Sequence, residues 1–363
     1  MRSKYSTACL QFTVCLLPLF FPPFGGTEGG CQDIHFSQYT QTPLLVNPAQ
    51  TGVFNERDML IDNRVIANYK SQWGSLTQYP YRTFALSYDR IFLKSSAKSG
   101  GGYLGGGIAV YADKAGMVKI SSTQINLLIS GIVPVSKGHT LAGGLNSGIV
   151  LRTLDPSSAQ WGSQFNGSEF DSSLPSDEAN MSKVNYTHGD FSTGLLWSYK
   201  NPVAGGVSNK NGITLGCALY HAGRPNQAFI SDIKTKQYNN VVLHGSGFQF
   251  IKGTNMEIHP SFLFMKQGPE QEITGGLSVR YVLQEESRYT GRVKGIALWL
   301  GSKYRAGDAL IPEINIEMAN YAFGVSYDVN MSSLKTASYG RGGLEFSLRF
   351  INPNPLSKAQ TMY

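Results

Sequence analysis

The sequence predicts an all-β fold: a transmembrane antiparallel β-barrel of about fourteen strands, following a cleaved signal peptide. Three observations carry that reading. Charged residues make up only 15% of the 363, against roughly 25% in ordinary soluble domains. Apolar and polar residues alternate with period two along most of the chain, the pattern of a strand whose two faces meet different surroundings. The alternating stretches run to roughly 10–15 residues, about twice the length of a soluble strand and enough to cross a bilayer at a tilt.

The same composition excludes other classes. With 41 Gly, 19 Tyr and 19 Phe, the chain is too aromatic for a disordered segment, and it lacks the Gly-X-Y period of collagen. Past the first thirty residues no apolar run is long enough for a spanning helix. The net charge of +7 comes from scattered Lys and Arg without a run or a nucleic-acid motif, so no nucleic-acid partner is expected. A large soluble sandwich or a propeller is the rival fold. Strand length argues against both, as does the absence of a blade repeat.

Residues 1–31 read as the signal peptide. Arg2 and Lys4 precede the apolar stretch Ala8–Phe24, and Gly25, Gly26, Gly29 and Gly30 follow, which is the n-region, h-region and small-residue order of an export signal. A retained membrane anchor is the alternative, but the run is short and broken by prolines. Cleavage leaves Gln32 first, or Cys31 as a lipidated terminus, although Glu28-Gly29-Gly30-Cys31 lacks the apolar residue usual three places before the Cys. Of Cys9, Cys15, Cys31 and Cys217, cleavage leaves Cys217 as the one certain survivor, too few for an intramolecular disulfide or a multi-Cys metal site.

Residues 32–57, rich in Gln, Asn, Pro and Tyr, precede the first alternating stretch and are expected to fold into the lumen, to dock a periplasmic partner, or merely to cap the barrel. Phe36, Tyr39 and Leu45 are the apolar anchors of that expectation. The barrel is assigned to 58–351, with strands near 58–70, 79–93, 101–113, 117–131, 138–153, 190–200, 211–222, 237–251, 254–266, 270–284, 294–305, 308–319, 321–330 and 341–351. Leu344, Phe346, Leu348 and Phe350 alternate most cleanly, with Glu345, Ser347 and Arg349 between them. Glycines inside strands (Gly105, Gly106, Gly107, Gly143, Gly144) mark sharp curvature or close backbone approach. The break at 154–189, rich in Ser, Asp, Asn and Gly, is an extended loop, placed outside the cell if the N-terminus is periplasmic. Its Asn166-Gly167-Ser168 and Asn185-Tyr186-Thr187 read as chance glycosylation matches. Residues 352–363 form a C-terminal tail.

Motifs for chemistry are missing. The six histidines (His35, His139, His188, His221, His244 and His259) form no HExxH or paired zinc spacing. There is no G-x-S-x-G elbow, and the glycine cluster at 100–107 lacks a phosphate-loop lysine. Glu313 and Glu317 share one strand face and read as charges lining a wet lumen. Cys217 alternates with the lipid face, where an inert thiol is expected. No catalytic residue, metal or cofactor is therefore assigned.

The start of the mature chain, Gln32-Asp33-Ile34-His35-Phe36-Ser37-Gln38-Tyr39, followed by Pro43-Leu44, Asn47-Pro48-Ala49, Gly52, Asn63-Arg64 and Trp73, resembles the opening of the PorP/SprF family of Bacteroidota outer-membrane proteins. So do Ala297-Leu298-Trp299-Leu300-Gly301, Gly307-Asp308-Ala309-Leu310-Ile311-Pro312 and the run Gly340–Leu348. The loop segment from Trp161 through Phe165, Phe170 and Asp171 is similar too. Cys31 departs from the small residue common there. The resemblance implies a non-enzymatic barrel of the type IX secretion system and gliding motility. The implied partners are its periplasmic ring, a peptidoglycan-binding component, outer-membrane lipid and a secreted adhesin. Candidate partner-binding residues are Phe36, Gln38, Tyr39, Leu45, Asn47, Pro48, Trp161, Phe165 and Phe170. A passive outer-membrane channel for small solutes is the alternative.

Overall fold

The computed structural model describes residues 33–54, 61–94, 101–175, 183–201, 211–227, 236–285, 295–333 and 335–353. Its strands are β1 (Ile61–Gln72), β2 (Tyr81–Lys94), β3 (Tyr103–Ala115), β4 (Ile120–Ser136), β5 (His139–Leu154), β6 (Val184–Lys200) and β7 (Asn211–Tyr220). They continue as β8 (Asn240–Phe250), β9 (Met256–Gln267), β10 (Glu270–Gln284), β11 (Ile296–Arg305), β12 (Ala309–Met318), β13 (Tyr321–Asn330) and β14 (Arg341–Pro353). Each strand pairs with the next, and β14 pairs back with β1, so the sheet closes. The seam is in register from Asn63↔Asn352 to Gln72↔Gly343. Closure leaves no strand edge unpaired, which is what lets a sheet cross lipid.

The two faces invert the soluble pattern. In β12, Leu310, Pro312, Ile314, Ile316 and Met318 face out, while Ala309, Ile311, Glu313, Asn315 and Glu317 are buried inside. The same holds around the ring: Leu127, Ile149 and Leu195 are more than 60% exposed, whereas Asp89, Lys303 and Glu345 are about 1% exposed. An exterior of this kind is stable only against hydrocarbon, and the interior charges mark the lumen. Among the described residues no helix is long and apolar enough to cross a membrane; the strands do the crossing.

Antiparallel pairing of an even number of strands puts the start of β1 and the finish of β14 at one end of the barrel, here termed the near end. The tight connections at 137–138 and 319–320 lie there too, with the longer ones 201–210 and 285–295, while the tight turn 268–269 is at the far end. The long connections 155–183 and 221–239 are at the far end.

Two boundaries need correction. The loop expected over 154–189 is shorter, because β6 begins at Val184 and pairs with β5 from Leu154↔Val184 onward. Residues 184–189 carry Asn185, Tyr186, Thr187 and His188, so neither face is apolar and the alternation is invisible in sequence. The last strand continues past 351 to Pro353. The starting boundary at 58, the signal peptide 1–31 and most of the 352–363 tail lie outside the described residues.

Candidate functional site

Residues 33–54 form a plug inside the barrel. Three short turns shape it: a 3-10 turn at Tyr39–Gln41, the α-turn α1 (Pro43–Val46) and a second 3-10 turn at Pro48–Gln50. Pro43 and Pro48 each sit in the first helical positions, where the missing N–H is no loss and the fixed φ starts the turn. Asn47 caps the third turn, its side-chain oxygen accepting from the Ala49 N–H at 2.8 Å.

The plug descends from the far end of the lumen to the near end. Asp33 is held by His221, Gln237 and Asn240, at 2.6, 3.2 and 3.0 Å, beside the far-end termini of β7 and β8. At the near end Arg64, early in β1, donates to the Gln50 carbonyl and lies 5.0 Å from the Phe54 ring. Between these points apolar side chains dock on three sectors of wall. Phe36 and Leu44 pack on Ala85, Ala109, Tyr111 and Leu128. Tyr39 and Val46 meet Ala218, Val242 and Leu263, and Ala49 and Val53 meet Ile132, Ala142 and Leu196. Burying each large apolar side chain contributes about 1.5–3 kcal/mol.

Small wall residues admit the plug backbone. A Cβ at Gly105 would stand 2.5 Å from the Thr51 carbonyl oxygen, and one at Gly144 would overlap the Pro48–Ala49 peptide. These two strand glycines are therefore sites of close backbone approach.

The polar pins are charge-assisted. The Glu345 carboxylate accepts the backbone N–H groups of both Ser37 and Gln38, at 2.7 and 3.0 Å, with Lys70 Nζ 3.0 Å away. Ser37 Oγ donates to Asp328 at 2.8 Å and accepts from Arg305 at 2.5 Å. Asp89 accepts the Gly52 N–H at 2.8 Å while gripped by the fork of Arg64 at 3.0 and 2.9 Å. Bidentate and backbone-to-carboxylate bonds of this kind are stronger than neutral ones. Asn47 donates to the Leu195 and Cys217 carbonyls at 3.0 and 3.2 Å and contacts His244 at 3.0 Å.

At the far end His221 has a positive φ of 55° and lies between Asp33 and, at 3.0 Å, Asp190. Burial opposes its charge, but the close carboxylates of Asp190 and Asp33 raise its pKa to about 10. Burial would raise the Asp33 carboxyl, yet the bond to His221 and that residue's charge hold it below the usual carboxylate range.

The plug does not fill the lumen. A well of about 350 Å³ lies beside it, walled by Phe248, His259, Arg280, Trp299 and Glu317 and floored by Tyr39, Pro43 and Val46. Most of its wall residues belong to the near-end portions of their strands.

The structure brings Phe36, Gln38, Tyr39, Leu45, Asn47 and Pro48 together in the plug, all buried except the half-buried Leu45. Trp161, Phe165 and Phe170 belong to the far-end connection. Phe165 and Phe170 bridge each other and are exposed, and Trp161 precedes the turn Gly162–Gln164. Sequence reasoning missed Asp33, Ser37, Gly52 and their wall partners Asp89, Asp328 and Glu345. The one available signal was a charge on the inner face of a strand, which does not say what it meets. Among the described residues no group of three or more His, Cys, Asp or Glu could hold a metal.

A closed antiparallel barrel, apolar outside and occupied by its own N-terminal segment, defines a plugged transmembrane barrel of the outer membrane. Residues 29–350 match the family described as type IX secretion system membrane protein PorP/SprF, and the chain belongs to that family. Among solved structures it is similar to the CymD monoaromatic hydrocarbon channel, at 10% identity over 86% of this chain and 93% of that one, with a TM-score of 0.44. The toluene transporter TbuX of Ralstonia pickettii shows 10% identity, the same coverages and a TM-score of 0.45. BamA from Haemophilus ducreyi lacking POTRA domains 1–3 shows 11% over 80% of this chain and 70% of that one, with 0.39. These are likenesses of fold and say nothing of cargo. No curated protein matches the chain.

Proposed function

We propose that this chain is a non-enzymatic outer-membrane component of type IX secretion and gliding motility, exported by its signal peptide, that assists the export or surface attachment of a partner adhesin. Family membership supports the secretion role. The observation that carries the reading beyond the family is the plug: its backbone and side chains are bonded to wall residues on β2, β6, β8, β13 and β14. A barrel so occupied is suited to holding a partner rather than passing solutes. The periplasmic ring and a peptidoglycan-binding component are the partners on the near side. The adhesin engages the far end through Trp161, Phe165 and Phe170. Phe36, Gln38, Tyr39, Leu45, Asn47 and Pro48 are buried at rest and reach a partner when the plug shifts.

The test is a mild-detergent pull-down of tagged protein from its native outer membrane, with mass spectrometry of what accompanies it. Ring components or one large secreted adhesin should co-purify. Deleting 32–52 should abolish surface display of that adhesin while the barrel still inserts. A barrel recovered alone and conducting ions would turn the reading to the passive channel.

A further inference from the structure

The well beside the plug takes no part in holding the plug at its polar pins, Asp33, Ser37 and Gly52. Its position gives its aspect: outer-membrane barrels keep short turns and chain ends in the periplasm and long loops outside. The two longest connections, 155–183 and 221–239, are at the far end, so the well lies towards the periplasmic end of the barrel.

Its walls have a particular chemistry. The Phe248, His259 and Trp299 rings stand in a row on β8, β9 and β11, with centroids 6.1 and 4.3 Å apart. The row can bridge β10 because Ser278 and Gly301 are small at that level. The Arg280 guanidinium lies 5.9 Å from the Trp299 ring and closes the row. Around the rings the charges are already matched. Arg280 donates to Glu317 at 3.0 Å and to Glu257 at 3.1 Å, and Arg349 donates to Glu317 at 2.7 Å. Glu257 in turn lies 3.1 Å from His259, and Glu313 is paired with Lys303 and Ser278.

Each feature narrows the ligand. Matched pairs leave little net charge to draw in an ion, so the occupant is neutral. Planar donors and acceptors fixed at the wall suit hydroxyl groups, which both donate and accept. Ring faces carry a negative quadrupole and attract the weakly positive C–H faces of a rigid apolar surface. A volume of about 350 Å³ is at the lower end of small-molecule sites, which run roughly 300–1,000 Å³. We propose that the well is a binding site, towards the periplasmic end of the barrel, for a neutral glycan segment of about two sugar units, with Trp299 and Phe248 as stacking platforms and Arg280, Glu257 and Glu317 as hydroxyl partners. The site belongs to the barrel itself and stands whether or not the adhesin reading does.

The test uses the full-length barrel purified in detergent, titrated calorimetrically with cellobiose, maltose and N,N′-diacetylchitobiose and checked by saturation-transfer NMR. At least one disaccharide should bind. Trp299→Ala and Phe248→Ala should each weaken it by about tenfold or more, and Trp299→Phe should restore most of the loss. Heat-modifiable gel mobility identifies variants that have kept the barrel, and Phe248→Ala carries the test if Trp299→Ala has not. Binding of none of the three sugars, or equal binding by the folded alanine variants, overturns the proposal. So does a site that takes an unstructured peptide in preference to every sugar. A failed pull-down leaves this result untouched, so the two readings fail separately.

Discussion

The lumen has two unlike halves. On the side of β2 to β6 small inward residues, among them Ala85, Ala109, Ala142, Gly105 and Gly144, alternate with apolar ones such as Leu128 and Ile132, and the plug lies directly on the wall. On the side of β8 to β12 the near-end residues are Phe248, His259, Trp299, Arg280 and Glu317, and the lumen stays open. Wall charges on the plugged side bond to plug backbone, as Asp89 does to Gly52. In the well they bond to one another, as Arg280 does to Glu317. The size of the inward side chains and the partner chosen by each charge thus separate a wall built to be covered from a wall built to be exposed.

The strongest way to break that difference is at Glu345. Glu345→Ala removes the acceptor of two plug N–H groups and leaves Lys70 buried without its nearest carboxylate. Asp328, 3.7 Å from Lys70, keeps that charge partly compensated, so the cost falls below the about 3–5 kcal/mol of an uncompensated buried charge. The plug, not the wall, should feel it: limited proteolysis should cut within 33–54 while heat-modifiable mobility of the barrel persists. Gly144→Val tests the small-wall rule. Its side chain would overlap the Pro48–Ala49 peptide, and overpacking of this kind costs about 1–3 kcal/mol. The expected sign is faster hydrogen exchange across 44–52. The matched change in the well, at a residue facing open space, should leave plug exchange unaltered.

Asn47→Ala is a smaller perturbation. It removes a cap and two bonds to strand carbonyls, worth about 1–2 kcal/mol together, and should raise exchange at Ala49 first. The mildest lever is pH at the Asp33–His221 pair. The His221 pKa is raised to about 10, so its contribution is complete below the ordinary histidine range and is lost as pH climbs through about 10. Asp33 is lowered, so its contribution is present above the ordinary carboxylate range and is lost as pH falls below it. Exchange at 33–37 should therefore be flat from mildly acidic to mildly alkaline pH and rise at both extremes. His221→Gln should remove the alkaline arm. A flat profile past pH 10 in the wild type would show that the pair does not pin the plug.

Much of the fold was legible because the two faces of each strand meet different solvents. Ile314 and Ile316 against Glu313 and Asn315 mark a strand with two unlike faces, and Cys217 is exposed on the outer face where the alternation placed it. The start of β6 was not legible, since Asn185 through His188 are polar on both faces. In the plug, the residue types that favour turns were visible, as were the apolar anchors Phe36 and Tyr39. Their partners were not. Ser37 meets Glu345 across most of the chain, and a carboxylate on an inner face looks the same whether it meets water, a neighbouring arginine or a plug. Local pattern says which way a side chain points and is silent about what stands opposite.

Ion conductance in planar bilayers tests the plugged lumen most directly, comparing the wild type with a variant deleted for 33–52. The wild-type barrel should stay near baseline, and the deletion should open stable, much larger conductance steps. A wild type that conducts as freely as the deletion would contradict a lumen closed by its own N-terminal segment.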